Sequence, residues 1–204
     1  MKTGQEKFWQ GEFGKEYISR NIGAKLAAAN LSFFSEVIRR TGNLGNILEM
    51  GCNVGMNLRA LRSLLPSCKL TGIEINEEAA KILREWGEAE VVVDSVLDVT
   101  LDTTYELTFT KGLLIHINPD YVNEVYKRLY EYSTKYILIA EYYNPTPVAL
   151  EYRGHKDRLY KRDFANEIMT LYSDLTLKDY GFLYRNDPVY PQDDITWFLM
   201  EKGK

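Results

Sequence analysis

Apolar residues follow two different spacings along the chain. Short apolar runs, typical of strands, lie at 46–50, 69–75, 89–93, 105–112 and 135–143. Between them, apolar residues recur three or four positions apart, the spacing of an amphipathic helix, as at Val54, Leu58, Leu61 and Leu65. Strands that alternate with helices favour right-handed βαβ units. The pattern therefore predicts an α/β fold with a doubly wound, mostly parallel sheet.

Capping residues mark the ends of two predicted helices. Asn76 is the expected N-cap of one helix, and Gly87 is expected to end it. Asn118 is the expected N-cap of another, with Pro119 at the first helical position.

Two further regions flank the alternating core. An aromatic segment comes before it, and a polar insertion follows the fifth strand-like run. Between the aromatic segment and the core, we expect a helix that covers the sheet through Ile22, Leu26, Ala29, Phe33 and Val37. A helix at 164–172 and strands at 175–184 and 194–201 are expected after the insertion. We predict one domain over 1–204, made of an N-terminal lid and covering helix, a cofactor-binding core, a substrate-side insertion and C-terminal strands, at 1–45, 46–143, 144–174 and 175–204.

Composition narrows the functional classes. A chain of 204 residues, 45% of them hydrophobic, can bury a full core, and its net charge of −4 argues against a broad nucleic-acid surface. The sequence has neither a secretory signal pattern nor an apolar run long enough to span a membrane. Cys52 and Cys68 are too few for a zinc site or a disulfide framework. We expect a cytoplasmic protein without a bound metal that uses neither nucleic acid nor a membrane as a partner.

The stretch "ILEMGCNVGMNL" (47–58) carries the first chemical signal. Ligands of doubly wound sheets bind at the carboxyl ends of the strands, where the first strand turns into its helix. A dinucleotide loop would need glycine at 51, 53 and 56, but the chain has Asn53 and Met56. The G-x-G-x-G loop typical of methyltransferases departs only at Asn53, and asparagine tolerates positive φ well. The loop therefore favours S-adenosylmethionine as the ligand.

Acidic residues near three strand ends strengthen this interpretation. Glu49 is a possible partner for the ligand's ammonium, Glu74 for the ribose hydroxyls and Asp94 for the adenine amino group. The alternative is an ordinary turn surrounded by solvated acids. The other residues that we expect at the cofactor are Trp9, Tyr17, Gly51, Asn53, Gly55, Asn57, Ile75, Ser95, Val96, Lys111 and Gly112.

Residues 46–117 resemble the cofactor half of class I S-adenosylmethionine-dependent methyltransferases. The whole chain is similar to the pseudaminic acid biosynthesis-associated methylases, through "FWQGEFGKEYISRN", "LIHINPD", "AEYYNPTPVALEYRGHKDRLYKRDFANE" and "PQDDITWFLMEK", at 8–21, 114–120, 140–167 and 191–202. The resemblance implies a seven-stranded Rossmann-like sheet whose last strand is antiparallel. It also implies methylation of a nonulosonic acid-type sugar or its nucleotide-activated form.

Three residues are candidates for catalysis: His116, His155 and Glu141. Methyl transfer often needs a base that accepts the acceptor's proton. His116 ends the fourth strand region, on the same edge as the glycine loop, and His155 lies in the insertion. The alternatives are a structural imidazole for His116 and an exposed loop residue for His155.

Candidate acceptor-binding residues follow the fifth strand. Tyr142, Tyr143 and Asn144 are expected to form a pocket wall. Arg153 and Arg158, supported by Lys161, are expected to bind a carboxylate or phosphate of a small anionic substrate. The alternative for these bases is a solvated face. Two other functions stay open: methylation of a peptide or another small metabolite, and non-catalytic binding of S-adenosylmethionine.

Overall fold

The structure is a computed structural model that describes residues 3–18, 23–152 and 155–203, with side chains described except at 152 and 155–158. Its helices, α1 to α7, are Gly4–Gln10, Glu12–Ile18, Ala24–Thr41, Met56–Leu64, Glu77–Trp86, Val122–Tyr132 and Phe164–Leu171. Its strands, β1 to β9, are Asn46–Met50, Lys69–Glu74, Glu90–Val93, Tyr105–Lys111, Ser133–Glu141, Val148–Tyr152, His155–Lys161, Leu175–Leu183 and Ile195–Lys202.

Seven of the strands form one sheet, in the order β3-β2-β1-β4-β5-β9-β8. The neighbours from β3 to β5 pair in parallel, whereas β9 is antiparallel to both β5 and β8. The predicted doubly wound sheet with an antiparallel last strand is confirmed. The seven predicted strand runs coincide with the observed strands to within two residues at each end.

The sheet is covered on both faces, which is why its central strands are continuously apolar. Neighbouring residues of β1 show the two sides: Ile47 belongs to the cluster that includes Phe34 of α3 and Leu58 of α4. Leu48 belongs to the opposite cluster, which includes Val125 of α6 and Ile168 of α7. These two layers hold the carboxyl ends of the parallel strands in register at one edge.

The predicted helix boundaries are found, with one difference. The Asn76 side chain accepts from the backbone N–H of Glu78 and Ala79 at the start of α5, and Gly87 ends this helix in the left-handed conformation. The Asn118 side chain accepts from the backbone N–H of Asp120, but it caps a 3₁₀ turn (119–121), and α6 begins only at Val122.

The aromatic N-terminal segment forms two short helices, α1 and α2, which we call the N-terminal lid. A capping box fixes the start of α1, because Thr3 and Glu6 bond reciprocally to each other's backbone N–H. The predicted covering helix is α3, in which Ala29, Phe33 and Val37 are buried. Ile22, also expected on this face, lies outside the described residues.

The insertion after β5 contains a hairpin that the sequence did not predict. Strands β6 and β7 pair antiparallel, in a two-stranded sheet separate from the main one. Leu159 and Tyr160 of β7 are buried. Across the described ranges, no helix is both long and apolar enough to cross a membrane.

Candidate active site

A cavity of about 570 Å³ opens at the carboxyl edge of the parallel strands. Residues at the ends of β2 and β4 and just after β1 and β3 form its floor, the N-terminal lid forms its roof, and α3 and the loop between β8 and β9 (184–194, the β8–β9 loop) close its side. Small-molecule sites typically measure ~300–1,000 Å³. Of the expected cofactor residues, those lining the cavity are Trp9, Tyr17, Gly51, Asn53, Asn57, Glu74, Ile75, Asp94, Ser95, Val96, Lys111 and Gly112.

The glycine loop turns sharply from β1 into α4. Gly51, Asn53 and Gly55 have φ values of 75°, 48° and 78°, and Asn53 is the one described residue other than glycine with a positive φ. A Cβ atom on Gly51 would lie 2.7 Å from Leu113 Cδ1, and one on Gly55 would lie 2.3 Å from Leu83 Cδ1. Gly51 lines the cavity, whereas Gly55 packs against α5 and shapes the loop from behind.

Glu74 joins the glycine loop to the end of β2. Its carboxylate accepts from the backbone N–H of Asn53 at 2.7 Å and of Asn76 at 2.8 Å. Each carboxylate oxygen has a second lone pair, so Glu74 can also accept from ribose hydroxyls. Burial raises the pKa of this carboxyl, while the bonds from the backbone lower it.

Glu49 lies behind the cavity wall and does not line it. Its Oε1 accepts from Asn57 Nδ2 at 2.6 Å, and its buried Oε2 has no hydrogen-bond partner among the described residues. Burial raises the pKa of Glu49 to about 8, against the opposing effects of Asn57 and the nearby Lys111 ammonium. Burial also lowers the pKa of Lys111, which Glu49 and Asp193 raise. An ammonium in the cavity would therefore meet Asn57 before it met Glu49.

The residues after β3 meet the lid. The backbone N–H of Ser95 donates to Asp94 Oδ1 at 2.7 Å, and the Ser95 hydroxyl donates to Oε1 of Glu6 in α1 at 2.5 Å. The Asn76 amide donates to the carbonyl of Trp9 at 3.1 Å. The lid is thus hydrogen-bonded to the part of the floor where Asp94 is expected to bind adenine.

Aromatic side chains of the lid enclose the other end of the cavity. The Trp9 ring lies 5.1 Å from the Tyr17 ring and 4.6 Å from the imidazole of His116, between centroids. His116 is only 6% exposed and lines the cavity from a 3₁₀ turn (114–116) after β4. The side chain of His155 lies outside the described part of the structure.

Glu141 has a different position from the one expected for a catalytic residue, because it does not line the cavity. Its Oε1 accepts from the backbone N–H of Leu113 and Leu114, both at 3.0 Å, and its Oε2 accepts from that of Ile115 at 3.4 Å. Burial raises its pKa to about 7. Glu141 therefore holds the turn that carries His116, which is a positioning role.

The expected pocket wall after β5 also lies away from the cavity lining. The Tyr142 hydroxyl donates to Asp193 Oδ2 at 2.9 Å, so Tyr142 contacts a residue of the cavity lining without lining the cavity itself. Tyr143 is 40% exposed, and the Asn144 amide donates to the carbonyl of Thr146. Lys161 Nζ lies 5.3 Å from the centroid of the Tyr142 ring. Arg153 and the side chain of Arg158 fall outside the described residues.

The sequence interpretation missed the β8–β9 loop as a part of the site. Arg185, Pro191, Gln192 and Asp193 line the cavity, together with Asn30 of α3. The "PQDD" segment (191–194) contributes to the family resemblance, but none of its residues was predicted to belong to the site. Tertiary packing brings it to the cavity, since Gln192 Nε2 donates to the carbonyl of Ala29 in α3 at 2.8 Å.

Residues 47–134 match the family described as Methyltransferase domain. The matched segment contains the glycine loop, Glu74, Asp94 and His116. The chain therefore contains a methyltransferase domain over these residues, and it has the fold of class I S-adenosylmethionine-dependent methyltransferases. The lid, the insertion and the last two strands of the sheet lie outside the matched segment.

Solved structures share the fold of this methyltransferase domain. Magnesium protoporphyrin IX methyltransferase from Synechocystis PCC 6803, with bound S-adenosylmethionine, has a TM-score of 0.73 at 8% identity, covering 98% of each chain. The 1,6-didemethyltoxoflavin-N1-methyltransferase of Burkholderia thailandensis has a TM-score of 0.71 at 13% identity, covering 98% of this chain and 87% of the other.

An S-adenosylmethionine-dependent methyltransferase from Clostridium acetobutylicum is a third structure of the same fold. It has a TM-score of 0.65 at 10% identity, covering 94% of this chain and 98% of the other. No curated protein matches the chain by sequence.

Proposed function

We propose that this methyltransferase transfers the methyl group of S-adenosylmethionine to a small anionic acceptor, a nonulosonic (pseudaminic) acid-type sugar or its nucleotide-activated form. One observation carries the proposal: a single cavity connects the glycine loop and Glu74 to His116 and to Arg185. Residues expected to bind the cofactor and residues expected to meet the acceptor therefore line the same cavity.

The residues at the floor suit S-adenosylmethionine. Gly51 lines the cavity with a positive φ, and a Cβ there would clash with Leu113, so glycine keeps the shape of the loop. Glu74 offers carboxylate lone pairs to the ribose hydroxyls, and the exposed Asp94 offers an acceptor to the adenine amino group. When bound, S-adenosylmethionine supplies the methyl group for transfer.

At the other end, we infer that His116 accepts the proton of the acceptor's hydroxyl or amino group. Its imidazole is held against Trp9, and Glu141 fixes the turn that carries it. Trp9 and Tyr17 of the lid line the cavity with His116, and aromatic rings there would limit the water beside the imidazole.

The acceptor class rests on the family resemblance. The fold alone does not set the acceptor, because the similar structures include methyltransferases named for a porphyrin and for a toxoflavin precursor. Two segments of the resemblance, "LIHINPD" and "PQDDITWFLMEK", include His116 and Asp193 of the cavity lining. They contribute the residues that the acceptor would meet.

A radiolabel assay tests the proposal. The protein is incubated with S-adenosylmethionine labelled in the methyl group and with pseudaminic acid, its cytidine-monophosphate-activated form, or a peptide mixture. Label should appear on the sugar or the activated sugar, and Glu74→Ala should lose this product while Glu85→Gln, an exposed change on α5, keeps it.

Other outcomes separate the alternatives. Label on peptides but not on sugars would overturn the acceptor class and keep the reaction. Binding of S-adenosylhomocysteine without transfer to any acceptor would favour a non-catalytic binding protein. Absence of cofactor binding would contradict the proposal as a whole.

A further inference from the structure

Arg185 stands out in the cavity lining because its orientation is fixed by its own loop. The Arg185 backbone N–H donates to Asp194 Oδ1 at 3.0 Å, and its side-chain Nε donates to Asp194 Oδ2 at 2.5 Å. One carboxylate therefore holds both ends of the arginine. The side chain is nevertheless 67% exposed, so its guanidinium stays accessible.

The neighbours of Asp194 anchor the β8–β9 loop to the rest of the fold. Gln192 donates to the carbonyl of Ala29 in α3, and Asp193 accepts from the hydroxyl of Tyr142 at the end of β5. Three consecutive residues, 192 to 194, are thus hydrogen-bonded to α3, to Tyr142 and to Arg185. A residue supported in this way needs little reordering when a ligand binds.

The hydrogen bonds of Arg185 leave part of its donor set available. Nε is used by Asp194, and no described residue accepts from the two terminal nitrogens within hydrogen-bond distance. Those nitrogens form a planar pair of donors, which matches the two oxygens of a carboxylate or phosphoryl group. The hydrogen bonds from the Arg185 backbone and side chain lower the pKa of Asp194, and the charge of Lys161 adds to this effect from a second side.

We propose that Arg185, oriented by Asp194, is the residue that binds the carboxylate or phosphoryl group of the methyl acceptor at the mouth of the cavity. This inference rests on the proposed function, which it makes more specific. It moves the anion site from the insertion, where the sequence suggested Arg153 and Arg158, to the β8–β9 loop. Asp194 is a positioning residue, since it acts through Arg185.

The test measures the binding of anionic probes at Arg185 by nuclear magnetic resonance. Protein labelled with ¹⁵N and saturated with S-adenosylhomocysteine is titrated with three probes: N-acetylneuraminic acid, its uncharged methyl ester, and inorganic phosphate. The resonance of the Arg185 Nε–H group should shift with N-acetylneuraminic acid or with phosphate, but not with the methyl ester. A response to the free sugar acid assigns a carboxylate, and a response to phosphate alone assigns a phosphoryl group.

Variants decide whether Arg185 carries this binding. Arg185→Gln should weaken binding of the responding probe by about tenfold, the lower end of the range for a charged hydrogen bond, because the site is exposed. Arg185→Lys should also weaken it despite the retained charge, and Asp194→Asn should weaken it to a smaller degree. Arg39→Gln is the matched control, an exposed arginine of α3 paired with Glu36 outside the cavity lining.

The assignment of Arg185 and the proposed function would be contradicted by different results. If Arg185→Gln binds the charged probes as tightly as the wild type, or if no charged probe binds while S-adenosylhomocysteine does, the assignment of Arg185 is wrong and methyl transfer is untouched. If S-adenosylhomocysteine itself does not bind, the proposed function fails first.

Discussion

Replacing Glu49 with glutamine should change how the stability of the protein depends on pH. Burial raises the pKa of Glu49 from its ordinary value of 4.5 to about 8. Between these values, the folded protein holds a proton at Glu49 that the unfolded chain releases. The free energy of unfolding therefore falls as the pH rises through this window, and the contribution of Glu49 levels off above pH 8.

The size of the effect follows from the width of the window. Each pH unit contributes about 1.4 kcal/mol while the folded state is fully protonated and the unfolded state is not. The change per pH unit becomes smaller near the pKa of the folded state, so the free energy of unfolding falls by about 2 kcal/mol from pH 6 to pH 8. Glutamine keeps the oxygen that accepts from Asn57 and cannot ionise, so Glu49→Gln should not show this loss.

The assay is urea unfolding, followed by circular dichroism from about pH 6 to about pH 9, on both proteins. Glu49→Gln should gain about 2 kcal/mol relative to the wild type as the pH rises from 6 to 8. Glu141, whose pKa is raised to about 7, is present in both proteins and cancels in the comparison. For Glu85→Gln, an exposed change, the free energy of unfolding should depend on pH as it does in the wild type. If Glu49→Gln also shows the wild-type dependence, Glu49 is ionised in the neutral folded protein and the argument from burial is refuted.

Three further predictions concern the loop and the catalytic end. Glu74→Ala should weaken S-adenosylhomocysteine binding by about 1–3 kcal/mol, since ribose hydroxyls and the N–H of Asn53 and Asn76 lose their acceptor, and calorimetry giving the wild-type affinity would contradict this. Gly55→Ala should destabilise the protein by roughly 1–3 kcal/mol because φ is 78° and the new Cβ meets Leu83, and an unchanged thermal midpoint would show that α5 yields without strain. His116→Gln should lower turnover by about 10²–10⁴-fold with cofactor affinity retained, and near-normal turnover would remove His116 as the base.

The centre of the sheet could be predicted from the sequence because its central strands are buried on both faces. Continuous apolar runs of strand length, separated by amphipathic spacing, leave few alternatives to a parallel α/β sheet. The cofactor-binding residues could be predicted for the same reason, since Gly51, Glu74 and Asp94 each lie at or next to the end of a strand that the sequence predicts. The β6–β7 hairpin was not predicted, because most residues of β7 (HKDRLYK) are polar and the insertion was interpreted as a loop.

The acceptor end depends on contacts between distant parts of the chain. Glu141 ends a strand, as Glu74 does, and the two look alike in sequence. Only the fold places the turn at 114–116 over Glu141, which turns its carboxylate into a backbone acceptor rather than a cavity residue. Arg185 likewise has no local pattern, since its position depends on the packing of Gln192 against α3.

The order of strands in the sheet also governs when the fold can be completed. Strand β9 is last in sequence but lies between β5 and β8, and in the described sheet β8 is joined to the other strands only through β9. Until residues 195–202 are in place, β5 presents an unpaired edge, and β8 has no strand to join. Unpaired strand edges template association between chains. A chain interrupted before Ile195 would therefore expose the side of a central strand and be prone to aggregate.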